Sequence, residues 1–147
     1  MATTVSRTIR VRRPVAEVFS LWADFESFPL FMNHIKSVRR TGAGLTHWVM
    51  KGPAGLETQW DARTTDMTFG RRIAWETQGG FVEHMGEVLF NDIGDETEMT
   101  VTMNYVTPLG RLGDAGTRIL ADPEGRLEQD LENFKRFCER GDMRKTA

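Results

Sequence analysis

Few side chains in this 147-residue chain have the type and spacing that acid–base or metal chemistry requires. The three histidines, His34, His47 and His84, show neither H-x-x-x-H nor H-x-H spacing, and the single Cys138 cannot build a zinc site with them. For His34, which follows a predicted helix near an expected cavity mouth, we favour a structural role over that of a general base. His47 alternates onto a polar strand face, and the pattern assigns no role to His84. The sequence therefore predicts no metal and no cofactor.

Tyr105 is the only tyrosine, and it falls among the apolar positions of a predicted strand. A buried phenol needs a hydrogen-bond partner, so this hydroxyl either satisfies a polar group of the core or meets a ligand oxygen. Tyr105 and Thr58 are almost the only polar side chains that the alternation turns inward, and it turns no Arg, His, Asp or Glu of the strands inward. Tyr105 is thus the only candidate for a catalytic residue.

Large aromatic and sulfur-containing side chains give the strongest signal. Tryptophan supplies bulk, and methionine is an adaptable filler of irregular or ligand-facing surfaces. Two interpretations stay open for this set, an ordinary core and the wall of a ligand site. Its members share the apolar strand positions: Trp48, Trp60, Trp75, Met50, Met99 and Met103.

The elements that position these residues are mostly strands. Apolar and polar residues alternate from residue 4 to residue 12, and six further runs between residues 35 and 107 are separated by glycine-rich turn signals such as 41–44 (TGAG) and 69–70 (FG). Short turns of this kind join antiparallel neighbours. The alternation predicts a seven-stranded antiparallel sheet with one apolar and one polar face, and the apolar face needs a cover.

Helical periodicity predicts elements on both sides of these strands. Pro14 opens a short helix, and Asp24 is expected to cap a second short helix that carries Phe28, Phe31 and Met32. Near the C-terminus, Asp122 and Pro123 separate two helical segments. The apolar stripes of those segments hold Leu112, Ala115 and Ile119, then Leu127, Leu131, Phe134 and Cys138. The polar positions expected to face water are Glu128, Asp130, Glu132, Lys135 and Arg136.

Composition excludes several classes of protein. With 19 basic and 21 acidic residues, the formal charge is −2, so nothing indicates a nucleic-acid binder. No apolar run approaches the roughly 20 residues that span a bilayer, and the first residues lack the apolar core of a signal peptide. We therefore expect a cytoplasmic protein that does not insert stably into a membrane, although transient membrane contact is possible. One cysteine permits no intrachain disulfide. We expect one domain over residues 1–147, with a core at about 4–140 and a frayed tail at 141–147.

An arginine-rich group could contact anionic lipid or nucleic acid. Such groups are usually solvated surface, however, and we favour a solvated surface here. Its members are Arg10, Arg12, Arg13, Arg39 and Arg40.

The order of elements resembles the helix-grip fold of the START-like (SRPBCC) superfamily, most closely its polyketide cyclase/dehydrase branch, which includes coenzyme Q-binding START-domain proteins. The segments that carry the resemblance are 14–19 (PVAEVF), 28–32 (FPLFM), 47–48 (HW), 51–55 (KGPAG), 73–75 (IAW), 86–90 (GEVLF) and 130–135 (DLENFK). The resemblance implies an α+β fold in which a curved, seven-stranded antiparallel sheet wraps around a long C-terminal helix, with two short helices after the first strand. It also implies an apolar cavity between sheet and helix.

Some members of that superfamily carry lipids, sterols or quinones, and others cyclise polyketides. Cyclisation requires a proton donor and a group that stabilises an enolate, and the inward-facing residues offer little beyond Tyr105. We therefore favour a carrier of a hydrophobic small molecule (an isoprenoid quinone, a lipid or a polyketide-like molecule) over an aromatase/cyclase-type enzyme. A regulatory domain with a filled, vestigial cavity is the other alternative. The expected ligand-binding residues are Phe31, Trp48, Met50, Trp60, Trp75, Met99, Met103, Tyr105, Ile119 and Phe134.

Overall fold

A computed structural model describes residues 2–52, 55–78, 83–106 and 123–140. The elements in chain order are β1 (Ala2–Val11), α1 (Val15–Ala23), a 3-10 helix (Phe25–Leu30), β2 (Ile35–Gly42), β3 (Leu45–Lys51), β4 (Glu57–Thr68), β5 (Arg72–Gln78), β6 (Glu83–Asp92), β7 (Thr97–Val106) and α2 (Pro123–Glu139). The expected stripe of Leu112, Ala115 and Ile119, the turn residues 79–80 and the tail 141–147 lie outside the described residues.

The sheet has seven strands in the order β1-β7-β6-β5-β4-β3-β2, and every pair of neighbours is antiparallel. Register shifts between Thr64 and Asp66 and at two points of the β2–β3 pair mark bulges. Bulges bend a strand and increase its twist, which lets the sheet curve around α2. This arrangement confirms the predicted helix-grip fold.

One end of the molecule is a closed apolar core. Met99, Val88 and Ile73 are fully buried on the concave face, and α2 adds Phe134 with an exposed fraction of 0%. The Phe134 ring packs edge-on against Trp22, with ring centroids 5.0 Å apart, and also contacts Phe31. These contacts seat the C-terminal half of α2 against α1 and the residues that follow the 3-10 helix.

Polar contacts fix the same half of α2 to the end of β1. Arg13 donates from Nη2 to the Glu139 carbonyl at 2.7 Å and from Nε to the Cys138 carbonyl. Lys135 donates from Nζ to the Arg10 carbonyl at 2.8 Å. Because the last carbonyls of a helix lack partners within the helix, the Arg13 bonds stabilise this terminus.

The second short helix differs from the prediction. It is a 3-10 helix that ends at Leu30, so Phe31 and Met32 lie beyond it, and the Asp24 side chain makes no capping hydrogen bond. Instead, Ser27 donates from its amide and its hydroxyl to the Asp24 carbonyl. A 3-10 helix holds its residues with tighter turns than an α-helix and is common in short connecting pieces.

The predicted arginine group divides into two. Arg39 and Arg40 belong to β2, whereas Arg10, Arg12 and Arg13 lie on β1 or just after it. Because β1 and β2 are the two edge strands, the two sets lie on opposite edges of the sheet. The five arginines therefore do not form one cluster.

Candidate functional site

A cavity of about 160 Å³ lies between the concave face of the sheet and the N-terminal half of α2. Its wall is mainly apolar and includes Trp22, Trp48, Trp60 and Trp75, which are all four tryptophans of the chain. The other lining residues are Phe25, Phe28, Met32, His34, Ile35, Thr46, Met50, Thr58, Ala62, Thr64, His84, Val101, Met103, Tyr105, Arg126, Leu127 and Asp130.

Strand pairing builds a continuous row of rings along the floor of the cavity. Trp48 and Trp60 face each other across β3 and β4, and their rings stack at 6.1 Å with an interplanar angle of 7°. Trp60 meets the edge of His84 at 5.3 Å, and His84 lies 5.9 Å from Tyr105, its pairing partner across β6 and β7. The row presents aromatic surface to the cavity, apolar at Trp48 and Trp60 and more polar at His84 and Tyr105.

The inward-facing residues differ in burial along the same strands. Met99 is fully buried on β7, whereas Met103 and Tyr105, on the same strand and face, are only partly buried. On β5, Ile73 is fully buried and Trp75 is only partly buried. Large apolar side chains that face inward yet remain accessible must border a space that solvent enters, so this end of the fold is open.

Gly86 makes room for the tryptophan floor. A Cβ at this position would lie 2.6 Å from Cζ2 of Trp75 and 2.9 Å from Sδ of Met103 and from the Thr102 carbonyl oxygen. The absence of a side chain lets the Trp75 ring lie directly on β6, which pairs Gly86 with Trp75 on one side and with Met103 on the other. A side chain at residue 86 would therefore displace the Trp75 ring from its place in the cavity wall.

The structure brings six of the expected ligand-binding residues to the cavity wall: Trp48, Met50, Trp60, Trp75, Met103 and Tyr105. Phe31, Met99 and Phe134 are instead buried in the closed core and do not line the cavity. Ile119 lies outside the described residues. For Met99, position along the strand decides the outcome, because residues on one face of β7 reach either the closed core or the open end, whereas Phe31 and Phe134 are not on strands.

Polar side chains gather at the end of the cavity where α2 begins. His34, His84, Arg126 and Asp130 join Tyr105 in its lining. The expectation that no His of the strands faces inward is wrong for His84, which lies on β6. The expectation that Asp130 faces water is also wrong, since its exposed fraction is 8%. Helical spacing could have indicated this, because residue 130 follows Leu127 by three and precedes Phe134 by four.

Burial sets the protonation of the pair formed by His34 and Asp130, whose Nε2 and Oδ2 atoms are 3.5 Å apart. Loss of solvent, helped by the nearby Arg126 charge, lowers the pKa of His34 to about 4. Burial raises the pKa of Asp130 to about 7, against an opposing effect of Arg126. Near neutral pH, His34 is therefore uncharged, and Asp130 is part protonated.

Tyr105 and His84 are held in their neutral forms. Burial raises the pKa of Tyr105, and the negative charge of Asp130 raises it further. Burial lowers the pKa of His84 to about 4. The Nδ1 atom of His84 is buried and has no hydrogen-bond partner among the described residues. A buried polar atom without a hydrogen-bond partner is energetically costly, so a hydrogen bond from a ligand group or a water molecule would stabilise His84.

His47 lies on the outer face, where Nδ1 contacts Oδ1 of Asp61 at 2.8 Å and Nε2 contacts Oε1 of Gln59 at 3.0 Å. This agrees with the polar strand face that the alternation predicts. Within the described ranges, no group of three or more His, Cys, Asp or Glu side chains is arranged to hold a metal ion. In the same part of the chain, no helix combines the length and the apolar character needed to span a bilayer.

Comparison with known proteins gives consistent matches. A family model described as polyketide cyclase / dehydrase and lipid transport matches residues 11–137. An uncharacterised 17.2 kDa protein of Streptomyces lincolnensis is 32% identical over 140 residues, covering 92% of this chain and 89% of that protein. The solved structure of the ZhuI aromatase/cyclase from Streptomyces sp. R1128 superimposes with a TM-score of 0.79 at 21% identity, covering 95% of each chain. A START superfamily protein from Mycobacterium smegmatis gives a TM-score of 0.70 at 17% identity, covering 88% of this chain and 94% of that one.

Proposed function

Because the chain belongs to the polyketide cyclase/dehydrase and lipid transport family, we propose that it binds a hydrophobic small molecule in the cavity between the sheet and α2. The observation that carries this proposal is the solvent-accessible row of large apolar side chains beneath α2. Side chains such as Trp60 and Met103 would be buried in a filled core. Their remaining exposure leaves apolar surface for a ligand to cover. A vestigial, filled cavity is correspondingly disfavoured.

The energetics suit a ligand with an apolar body and one polar end. Each methylene that leaves water contributes about 0.8 kcal/mol, so an isoprenoid, acyl or polyketide-like body binds without directed contacts. The polar end lies at the part of the cavity that Tyr105 and His84 line. Residues 4–140 act as one domain in this proposal, with α2 as one wall of the site.

A fluorescence titration tests the binding proposal. N-phenyl-1-naphthylamine, a neutral apolar dye, accepts energy from tryptophan, and every tryptophan of this chain lines the cavity. We expect saturable quenching in the wild type. Replacing Ala62, a small residue of the cavity wall, with phenylalanine fills part of the space, and we expect Ala62→Phe to weaken binding by about tenfold or more.

The matched control is Gln59→Phe, which adds the same ring to β4 on its exposed outer face. This variant should bind as the wild type does. Absence of saturable quenching in the wild type, or equal binding by Ala62→Phe and the wild type, would refute binding in this cavity. Thermal unfolding of each variant establishes that it is folded before the titration.

The polar residues at one end of the cavity support a second candidate function, that of an aromatase/cyclase-type enzyme. Tyr105 retains its proton, Asp130 exchanges one near neutral pH, and His34 is an uncharged base. The fold is shared with the ZhuI aromatase/cyclase. In this function Tyr105 protonates a ketone oxygen as the adjacent carbon–carbon bond forms, so Tyr105→Phe should lower turnover of a model poly-β-ketone about a hundredfold. Unchanged product formation by Tyr105→Phe would remove Tyr105 from the reaction, and absence of wild-type turnover would remove this candidate.

A further inference from the structure

Arg126 brings a positive charge into a mainly apolar cavity. It lies in the first turn of α2, is partly buried and lines the cavity beside Met50 and Leu127. Its Nη1 atom points at the Met50 sulfur, 4.0 Å away, and a thioether is only a weak acceptor. No carboxylate lies within 4.0 Å of its guanidinium in the described part of the chain.

Four arginines outside the cavity have carboxylate contacts of the kind that Arg126 lacks among the described residues, and two of them illustrate the difference. Arg7 pairs with Glu128 at 3.5 Å, and Arg72 is held by both Asp66 and Glu87 on the outer face of the sheet. The acidic group nearest in sequence to Arg126 on the buried face of α2 is Asp130, which forms its close contact with His34 instead. Asp130 also holds its proton for part of the time near neutral pH, and then offers no compensating charge.

Among the described residues, Arg126 has no carboxylate in direct contact and feels only the longer-range charge of Asp130 while that group is ionised. Its guanidinium has lost part of its solvent and is incompletely compensated, which is unfavourable. The same arrangement is favourable for an anion that enters the cavity, since a guanidinium and an oxyanion form strong, charge-assisted hydrogen bonds. The apolar wall formed by the tryptophans restricts which anions benefit. A small hydrophilic anion would leave that wall uncovered.

Building on the proposed function, we propose that the ligand is a hydrophobic acid, whose apolar body covers the tryptophan row and whose anionic oxygens pair with Arg126. The acidic group is a carboxylate or an oxyanion of similar geometry. The hydroxyl of Tyr105 serves as a further donor at the same end of the cavity. The same charge disfavours a hydrophobic cation, and a neutral ligand of equal size gains less from Arg126 than an acid does.

A pair of dyes with one frame tests this inference. 8-Anilino-1-naphthalenesulfonate and N-phenyl-1-naphthylamine share the phenylaminonaphthalene skeleton and differ by one sulfonate. We expect Arg126→Gln to weaken binding of the sulfonate by about tenfold or more, and to change binding of the neutral dye less than about twofold. Arg126→Lys should keep part of the preference for the sulfonate dye over the neutral dye, because lysine keeps the positive charge but lacks the planar guanidinium that forms paired hydrogen bonds.

Arg136→Gln is the matched control, because it removes one positive charge from an exposed position of the same helix. It should leave the binding of both dyes unchanged. If Arg136→Gln weakens binding of the sulfonate dye as much as Arg126→Gln does, the effect comes from the net charge of the protein, and the inference fails.

Wild-type protein alone gives a second measurement that does not depend on the folding of a variant. Decanoate and 1-decanol compete for bound N-phenyl-1-naphthylamine, and we expect decanoate to displace it at about tenfold lower concentration than the alcohol does. Equal displacement, together with equal dye affinities in wild type and Arg126→Gln, would overturn the acid preference and leave the binding function standing. Absence of binding by both dyes would overturn the proposed function itself.

Discussion

Replacing Met99 with alanine is expected to lower the free energy of unfolding by about 2–5 kcal/mol, whereas the same change at Met103 should cost less than about half as much. Both methionines lie on β7 and face the concave side, four residues apart. Met99 is fully buried in the closed core, so truncation leaves a void that its neighbours cannot fill. Met103 borders the cavity, and its truncation only enlarges a space that water already enters.

Urea denaturation of the two variants measures this difference, with Glu132→Ala on the exposed face of α2 as a surface control expected within about 0.5 kcal/mol of the wild type. Equal losses at Met99 and Met103 would mean that the two ends of the concave face are equally well packed. That result would contradict the division of the fold into a closed core and an open cavity.

We expect the free energy of unfolding of the Asp130→Asn variant to increase, relative to that of the wild type, as the pH rises. Burial raises the pKa of Asp130 from 3.8 to about 7. Between these values the folded protein holds a proton that the unfolded chain has released, so the free energy of unfolding falls with rising pH. At about 1.4 kcal/mol per pH unit, the total loss is roughly 4 kcal/mol. Asparagine has no proton to release, so the variant escapes this loss.

Stability curves of both proteins at pH 4 and pH 8 test this prediction. Burial lowers the pKa of His84 to about 4, so His84 acts in the opposite direction to Asp130, but it does so in both proteins and cancels in the comparison. His34 contacts Asp130 directly, so any change in its titration is part of the measured difference. Asp95→Asn, at an exposed turn position between β6 and β7, serves as the control. A difference between Asp130→Asn and the wild type that does not change with pH would show that Asp130 is ionised at low cost in the folded state.

The sheet could be predicted from the sequence because alternation has an unambiguous period. One apolar and one polar face place Trp60 and Met103 inward, and His47 outward, without any knowledge of the fold. The closed and open ends of that same face could not be separated, since Met99 and Met103 have the same type and the same strand phase. What distinguishes them is which part of α2 lies opposite, and that depends on long-range packing.

The polar end of the cavity was missed for a different reason. Asp130 was assigned to the water face by its residue type, although its helical position places it with Leu127 and Phe134. His84 shares the strand phase of Val88 and Phe90, which face inward, but the sequence pattern assigned it no role. Buried polar residues are uncommon in protein interiors, and they concentrate at functional sites where sequence patterns fail.

Xenon bound under pressure in a crystal of the protein tests most directly whether α2 bridges the concave face or fills it, because xenon enters apolar cavities and leaves packed cores empty. We expect a xenon site between the sheet and the N-terminal half of α2, among Trp48, Trp60, Trp75 and Met103, and none around Met99 and Phe134. A crystal in which those tryptophans and Met103 interlock and admit no xenon would contradict this expectation.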